Sequence, residues 1–399
     1  MVKDEIVIND LQGMCEARLP WCELDGKTVL VTGATGMLAS YVTWLLLYLH
    51  EHVGINVSVV ALCRNRQSAE QYFGSYFDKP YFNLLIQDVC EPIVYKERVD
   101  YVFHLAGNAS PHFINSDPVG IMKCNLLGTM NVLDWARESK VAKVIFASTR
   151  EVYGKNEDSE QLDEHAYGSL DPLDDRSCYP ECKRAAETLL RSYFLQYGVP
   201  YNVVRIAHSY GPTMKLENDG RVMADLLGDV VAGRDIVLKS SGDAVRAFLY
   251  VTDAVLGMFT VLFKGNACAA YNLANESEPI SVKDLAQMLA SSRSDKAIRV
   301  VMNKGEQKGY CAYRRTALDT TAIEHLGWKP QVSLSEGISR VLASVLFFVK
   351  RQIILTLSKD STAKKENKGR PILGLAKGKW KYPDDINLHD DEIADAFGV

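Results

Sequence analysis

Tyr179 and Lys183 stand one helical turn apart in the run Cys178-Tyr179-Pro180-Glu181-Cys182-Lys183. A phenol is a poor base at neutral pH, with a reference pKa of about 10. A lysine one turn later reaches the same side of a helix and stabilises the phenolate by its charge. Upstream, the β-like run ending Phe146-Ala147-Ser148-Thr149-Arg150-Glu151 brings hydroxyl and carboxylate groups to a strand end. Thr149 is placed there to hydrogen-bond an alcohol. Thr149, Tyr179 and Lys183 can together remove a proton from an alcohol while a hydride leaves for a nicotinamide cofactor. Tyr-x-x-x-Lys is a common spacing, and alone it reads as decoration of a helix face. The elements around it carry the catalytic reading.

Those elements alternate strand and helix. Lys27–Thr32 is a β-branched run leading into Gly33-Ala34-Thr35-Gly36-Met37-Leu38-Ala39, and an apolar helix follows to about His50. Glycines at a strand-to-helix turn let the backbone approach a pyrophosphate, whose charge meets the free N–H groups of the helix. Gly33, Thr35, Gly36, Met37 and Leu38 are therefore expected around the cofactor. The second strand, Val57–Leu62, ends at Cys63-Arg64-Asn65-Arg66. An acid there suits a ribose 2′-hydroxyl, whereas arginine suits a 2′-phosphate, so Arg64 points to NADP. A solvated loop is the plainer reading of the same two arginines. Phe82–Gln87 is the third strand, with Asp88 and Val89 after it for adenine. Tyr101–Leu105 is the fourth, with Leu105, Ala106 and Gly107 small enough at its end to admit the nicotinamide side. Asp117–Ser139 is helical, and Ala142–Ser148 and Tyr201–Ile206 are further strands. The alternation predicts an α/β fold: a Rossmann-type doubly wound parallel sheet with ligands at its carboxyl edge.

The chain divides into a leader (1–25) and a dinucleotide-binding domain (26–206), to which 246–263 returns. A smaller, discontinuous α/β substrate-binding domain covers 207–245 and 264–350, with Arg246–Tyr250 a short strand between its parts. A polar linker and tail (351–399) follow, Lys-rich from Lys359 and later carrying Trp380, Tyr382 and Phe397. The tail is open to three readings: disorder, folding back, or contact with a partner.

With 399 residues, 47% hydrophobic and 24% charged, the chain has ample core. A net charge of −5 gives no argument for nucleic acid or an anionic membrane. The segment Val341–Leu357 is broken by Lys350 and Arg351 and reads as an amphipathic helix, not a membrane span. The N-terminus lacks an apolar core of a signal peptide. Nine scattered cysteines without paired spacing, and no histidine cluster, predict free thiols in the cytoplasm and no metal.

From about Lys27 to Val345 the chain resembles the extended short-chain dehydrogenase/reductases, the NAD-dependent epimerase/dehydratase family acting on nucleotide sugars. Within it the resemblance is greatest to the UDP-glucuronate decarboxylases (UDP-xylose synthases). The matching pieces are Gln87-Asp88-Val89-Cys90-Glu91-Pro92, Ala109-Ser110-Pro111-His112, Asn125-Leu126-Leu127-Gly128-Thr129, Ser148-Thr149-Arg150-Glu151-Val152-Tyr153-Gly154 and Cys178-Tyr179-Pro180-Glu181-Cys182-Lys183-Arg184. Asp219-Gly220-Arg221-Val222, Arg246-Ala247-Phe248-Leu249-Tyr250-Val251 and Leu326-Gly327-Trp328-Lys329-Pro330 continue the series. The resemblance implies a retained cofactor, NAD by family pattern, that oxidises the sugar at C4. It implies Glu151 for work at C5 and Arg315 near a sugar carboxylate. Ser110, His112, Arg150, His208, Arg221 and Arg246 are implied on the substrate, the last two at nucleotide and diphosphate. The apolar stripes of 117–139 and 177–197 imply a homodimer through a four-helix bundle.

Four positions depart from the pattern. Arg150 replaces the serine of the decarboxylases and the aspartate of dTDP-glucose dehydratases. His208 replaces an asparagine that contacts substrate, and Pro180 and Cys182 replace an Asp and a Gly. The expected activity is that of a decarboxylase-like enzyme. A 4,6-dehydratase or 4-epimerase is the alternative, and a catalytically silent sugar-nucleotide-binding scaffold is the reading from another class.

Overall fold

The computed structural model describes residues 4–156, 161–217, 219–293, 295–302 and 317–347. Strand β1 (Thr28–Thr32) is β-branched at four of its five positions and buried along its length after Thr28. It lies at the centre of a seven-stranded sheet with β2 (Ser58–Cys63), β3 (Phe82–Ile86), β4 (Tyr101–His104), β5 (Lys143–Thr149), β6 (Tyr201–Ile206) and β7 (Ala270–Leu273). Their order across the sheet is β7-β6-β5-β4-β1-β2-β3, and every pairing is parallel. The order reverses between β1 and β4, which opens a crevice at their carboxyl ends. Thr32 stands in register with His104 there, so the loops that follow each strand face one another.

Helix α1 (Glu5–Cys15) precedes the sheet, α2 (Met37–Tyr48) follows β1, and α3 (Pro118–Glu138) and α4 (Cys178–Tyr197) flank β5. Helix α5 (Val251–Lys264) is buried on most sides, as its apolar composition requires, against α2 and β5–β6. Proline at N1 starts α3, with the Asp117 carboxylate accepting from Gly120 N–H. Gly198, at φ 70°, ends α4.

The structure differs from the sequence reading at three places. Ala270–Leu273, expected with the smaller unit, extends the main sheet as β7. Its Asn272 amide is satisfied by the Leu162 and Asp319 carbonyls, so a polar residue sits at a fully buried strand position. The segment Arg246–Tyr250 is not one strand. Val245–Arg246 pairs antiparallel with Ile280–Ser281, while Leu249–Tyr250 pairs in parallel with Ser209–Tyr210. Two different partners within six residues force the break. The leader, which reads as partly helical and without visible chemistry, is no mere appendage: its helix enters the main core through Val7, Leu11 and Met14. The expectations for Arg315 and for the linker and tail fall outside the described residues.

Asp10 of α1 is also buried, 3% exposed. Its carboxylate accepts from the Tyr41 hydroxyl at 2.9 Å, the Tyr250 hydroxyl at 2.7 Å and Arg340 Nη1 at 2.7 Å. Nearby, the Ser344 hydroxyl donates to Asp4. One carboxylate thus joins α1, α2, the start of α5 and the helical stretch 334–347. Burial raises the Asp10 pKa, and the two tyrosines and Arg340 offset only part of that rise. A carboxyl with a raised folded-state pKa favours folding when protonated and loses that contribution as pH climbs through it. Arg340→Met, which strips the one cation from this carboxylate, is therefore expected to destabilise the fold at neutral pH by about 2–4 kcal/mol, discounted for the partial exposure of Arg340. The defect should shrink on acidification, as urea unfolding at two pH values would show. A loss independent of pH would contradict a charge-based role.

Candidate active site

The turn after β1 puts Gly33 at φ 66°, a backbone region that L side chains avoid. A Cβ on Gly33 would also sit 2.9 Å from Ala106 Cα, so the two loops at the switch point touch through their main chains. Gly36 then caps α2 without any side-chain hydrogen bond, and the first full helical backbone bond is Ser40 N–H to Gly36 O. The N–H groups of Met37 and Leu38 open this helix end next to Gly33 and Thr35. Thr32 braces the opposite wall: its hydroxyl accepts from Leu105 N–H and Ala106 N–H, each at 3.1 Å. Its other neighbour is His104 Nδ1 at 2.8 Å, and His104 Nε2 lies 3.1 Å from the Thr129 hydroxyl. Burial pushes His104 down to about 3, with Lys183 adding to the fall, so this histidine is a neutral strut.

On the adenine side, Asp88 Oδ1 accepts from Cys90 N–H at 2.9 Å, and Asp88 forms a 3.6 Å ion pair with Arg64. Partial burial works to raise the Asp88 pKa, but the Cys90 hydrogen bonds and Arg64 outweigh it and hold the carboxyl below its usual range. Arg64, read from sequence as a 2′-phosphate ligand, already faces a carboxylate. Val89 is buried against Gly128 of α3.

At the end of β5, Thr149 is 7% exposed and its hydroxyl accepts from Glu151 N–H at 3.2 Å. That contact tightens the chain into the short 3-10 turn Arg150–Tyr153. The Thr149 side chain also hydrogen-bonds Tyr179, which is 5% exposed and packed on Ile114 and Ile121. Lys183, equally buried, donates to Ala147 O at 2.8 Å and lies 4.6 Å over the Phe146 ring. Burial lowers it to about 8, against the opposing pull of Cys124, Glu187 and Cys182. Burial raises Tyr179 strongly, Glu151 adds to the rise, and Thr149 and Arg221 counter it.

Two residues that the sequence reading gave no role belong here. Asn125 donates to Ile121 O, yet its Oδ1 is buried with no hydrogen-bond partner. A Cβ on Gly107 would lie 3.1 Å from that oxygen and 3.3 Å from Lys183 Nζ. An orphaned acceptor and a buried cation thus share a gap that only a glycine leaves open. This gap, the Gly33–Ala106 approach and the open end of α2 fit the close backbone approach of a dinucleotide that the sequence predicts. The second residue is Arg176, whose charge is foremost among those acting on Glu151. Asn125 stood inside a quoted motif; Arg176 had no signal beyond its place three residues before Tyr179.

Glu151 keeps part of its surface open to the cleft, while the surrounding protein desolvates it. Burial raises its pKa, opposed by Arg176, Arg150 and Arg246. Arg150 Nη1 lies 3.1 Å from His208 Nε2. Across the cleft, Arg221 closes on Asp219 with Nε–Oδ1 at 2.5 Å and Nη2–Oδ2 at 2.9 Å. The Asp219 carbonyl accepts from Ser110 Oγ at 2.5 Å and His112 N–H at 3.3 Å, so these expected substrate residues are tied to the Asp219–Arg221 loop. The His112 side chain is exposed.

The model of the "NAD dependent epimerase/dehydratase family" matches residues 29–274. UDP-glucuronic acid decarboxylase 6 of Arabidopsis thaliana is 32% identical over 310 residues, covering 78% of this chain and 86% of that protein. UDP-glucuronic acid decarboxylase 1 of Xenopus tropicalis is 33% identical over 80% of this chain and 72% of its own. Among solved structures, UDP-glucose 4-epimerase from Thermotoga maritima, with UDP-glucose, superposes with a TM-score of 0.68 at 25% identity, over 81% of this chain and 99% of the other.

The buried Tyr–Lys pair separates catalysis from folding. Tyr179→Phe should lower turnover by roughly 10²–10⁴-fold while cofactor retention holds. Lys183→Met should also abolish turnover, yet leave the melting temperature of the cofactor-free protein no lower, because it deletes a cation that burial disfavours. Thermal melts beside the turnover assay check both; a Lys183→Met protein that melts early would mean the ammonium is structural.

Proposed function

Since the chain belongs to the NAD-dependent epimerase/dehydratase family, we propose that it is a nucleotide-sugar decarboxylase that oxidises its sugar at C4. The observation that carries this reading is the gathering of Thr149, Tyr179 and Lys183 at one strand end with Glu151 two residues beyond Thr149. When bound, the nicotinamide group accepts a hydride from C4 and later returns it. Tyr179 takes the C4 hydroxyl proton, with Thr149 orienting that hydroxyl and the Lys183 charge lowering the cost of the phenolate. A ketone at C4 makes a C5 carboxylate a β-keto acid. The C5–C6 bond then breaks with its electron pair delocalised onto the C4 oxygen, carbon dioxide leaves, and C5 takes a proton. Glu151, which burial shifts towards its protonated form, is the group we assign to that proton.

The similarity to curated UDP-glucuronic acid decarboxylases supports the decarboxylase over the other chemistries of the family. A 4,6-dehydratase needs an acid where Arg150 stands, which disfavours that alternative. The Arg64–Asp88 pair supports NAD over NADP, since the guanidinium is already matched by a carboxylate. The eight cysteines among the described residues are all free, in keeping with a reducing compartment such as the cytoplasm. No helix among the described residues is long and apolar enough to cross a membrane.

We also propose the homodimer. Helices α3 and α4 pack on each other. Helix α3 leaves Val119, Met122, Leu127 and Met130 on one exposed stripe, from 39% to 60% accessible. Light scattering should give twice the chain mass, and Leu127→Glu with Met130→Glu should halve it; an unchanged mass for the double variant would remove this face from the interface.

Incubation with UDP-glucuronate should release carbon dioxide and form a UDP-pentose, detected by mass spectrometry. Glu151→Gln should slow that release by about 10²-fold or more. Failure to turn over any nucleotide uronic acid would sink the decarboxylase reading, and an accumulating 4-keto-6-deoxy product would put the dehydratase in its place.

A further inference from the structure

An open groove of about 450 Å³ runs along α4, separate from the catalytic cleft: none of Thr149, Glu151, Tyr179 and Lys183 lines it. Arg184, Glu187 and Arg191 reach it from one face of that helix, and Arg205 reaches it from β6. Val152 and Ala166 give it an apolar part, and Tyr167, 86% exposed, adds a ring that the core leaves uncovered.

The charge of the groove is uneven. Glu187, the one acid among the lining residues, is already engaged: its Oε1 accepts from Ser148 Oγ at 2.5 Å and its Oε2 from Arg205 Nη2 at 2.7 Å. Glu187 and Arg205 therefore cancel. Arg184 donates to the Val152 carbonyl at 2.6 Å and the Gly168 carbonyl at 2.7 Å. Arg191 hydrogen-bonds Tyr201 and lies 5.8 Å over the Phe194 ring. Carbonyls, a phenol and a ring orient these two guanidiniums without supplying negative charge. Two fixed cations beside an apolar wall suit a peptide that mixes carboxylates with apolar side chains.

The chain carries such a segment. Asp384–Asp395 holds six carboxylates and no lysine or arginine, with Ile386, Leu388 and Ile393 between them and Phe397 just beyond. It lies outside the described residues, the last of which is Phe347. The intervening stretch 348–383 would span about 30–35 Å at coil dimensions and far more when extended, enough to cross a domain of this size.

We propose that the acidic run Asp384–Asp395 docks in this groove of its own chain, with carboxylates on Arg184 and Arg191 and apolar side chains on Val152, Ala166 and Tyr167. Arg184 also holds the Val152 carbonyl, next in the chain to Glu151, so the docked segment backs the turn that carries that carboxyl. The docking depends neither on the sugar nor on the reaction.

Titration of a fluorescein-labelled peptide of residues 383–399 into the full chain tests it. In one form of the chain the tail acids become amides: Asp384→Asn, Asp385→Asn, Asp390→Asn, Asp391→Asn, Glu392→Gln and Asp395→Asn. That form should bind the peptide, about fivefold more weakly as salt rises from about 50 to 300 mM. The native chain should bind it at least about tenfold more weakly than the amide form, because its own tail competes at high effective concentration, and this block should not change on dilution. Arg191→Glu, added to the amide form, should weaken the peptide by at least about tenfold. Thr188→Glu, exposed on the same helix face, decides if Arg191→Glu does not fold. No peptide binding by the amide form would overturn the proposal, as would equal binding by the amide and native forms. Undiminished binding by a folded Arg191→Glu or Thr188→Glu protein would put the peptide elsewhere and overturn it too. A block lost on dilution would assign the tail to a second copy. Millimolar phosphate bound through Arg191 without peptide binding would make the groove a small-anion site. Either result removes docking within one chain.

Discussion

A single ammonium group held out of water sets the terms for the centre of this protein. In the proposed mechanism the Lys183 charge favours a Tyr179 phenolate, and a dry setting strengthens its field. Dryness costs the cation its hydration, which is why burial lowers it to about 8. The fold answers with one carbonyl at the end of β5, the face of the Phe146 ring and the start of α4. The unfilled space at Gly107 and the orphaned Asn125 oxygen lie on the remaining side.

The turn that carries Arg150 and Glu151 is held from behind by a second polar network. Ser148 donates to Glu187 at 2.5 Å, and Arg205 clamps the same carboxylate with Nη2–Oε2 at 2.7 Å. Arg205 also donates to the Tyr153 hydroxyl, which donates in turn to Asn272 of β7. Arg184, in α4, holds the Val152 and Gly168 carbonyls. The Arg205–Glu187 pair is mostly buried, so breaking it by removing one partner would leave an uncompensated charge. The reacting groups thus stand on a turn fixed at both flanks.

Local pattern made much of this legible in the sequence. The β-branched runs of β1 and β6 and the glycine turn after β1 are recorded in consecutive residues, and the structure follows them to within a residue or two. Tyr179 and Lys183 were legible because helical spacing fixes their common side. Relations across long stretches of chain were not. The split of Arg246–Tyr250 depends on Ile280 and Ser209, which no local pattern announces. Arg176 has no periodic signal; its importance comes from facing Glu151. The contact of Arg150 with His208 spans 58 residues, so the sequence could mark each as unusual but could not join them. No local pattern marks Asp10, whose three partners lie 31, 240 and 330 positions away.

That carboxylate has a bearing on how the chain is made. Asp10 leaves the ribosome 330 residues before Arg340. Domains form largely in order of synthesis, so the strands of the sheet can assemble before the cation for Asp10 exists. During that interval α1 carries an acid whose burial is unfavourable, and the helix has reason to stay undocked. Final docking of α1 over α2 and α5 therefore waits for nearly all of the described chain, and a helix made before the sheet settles after it.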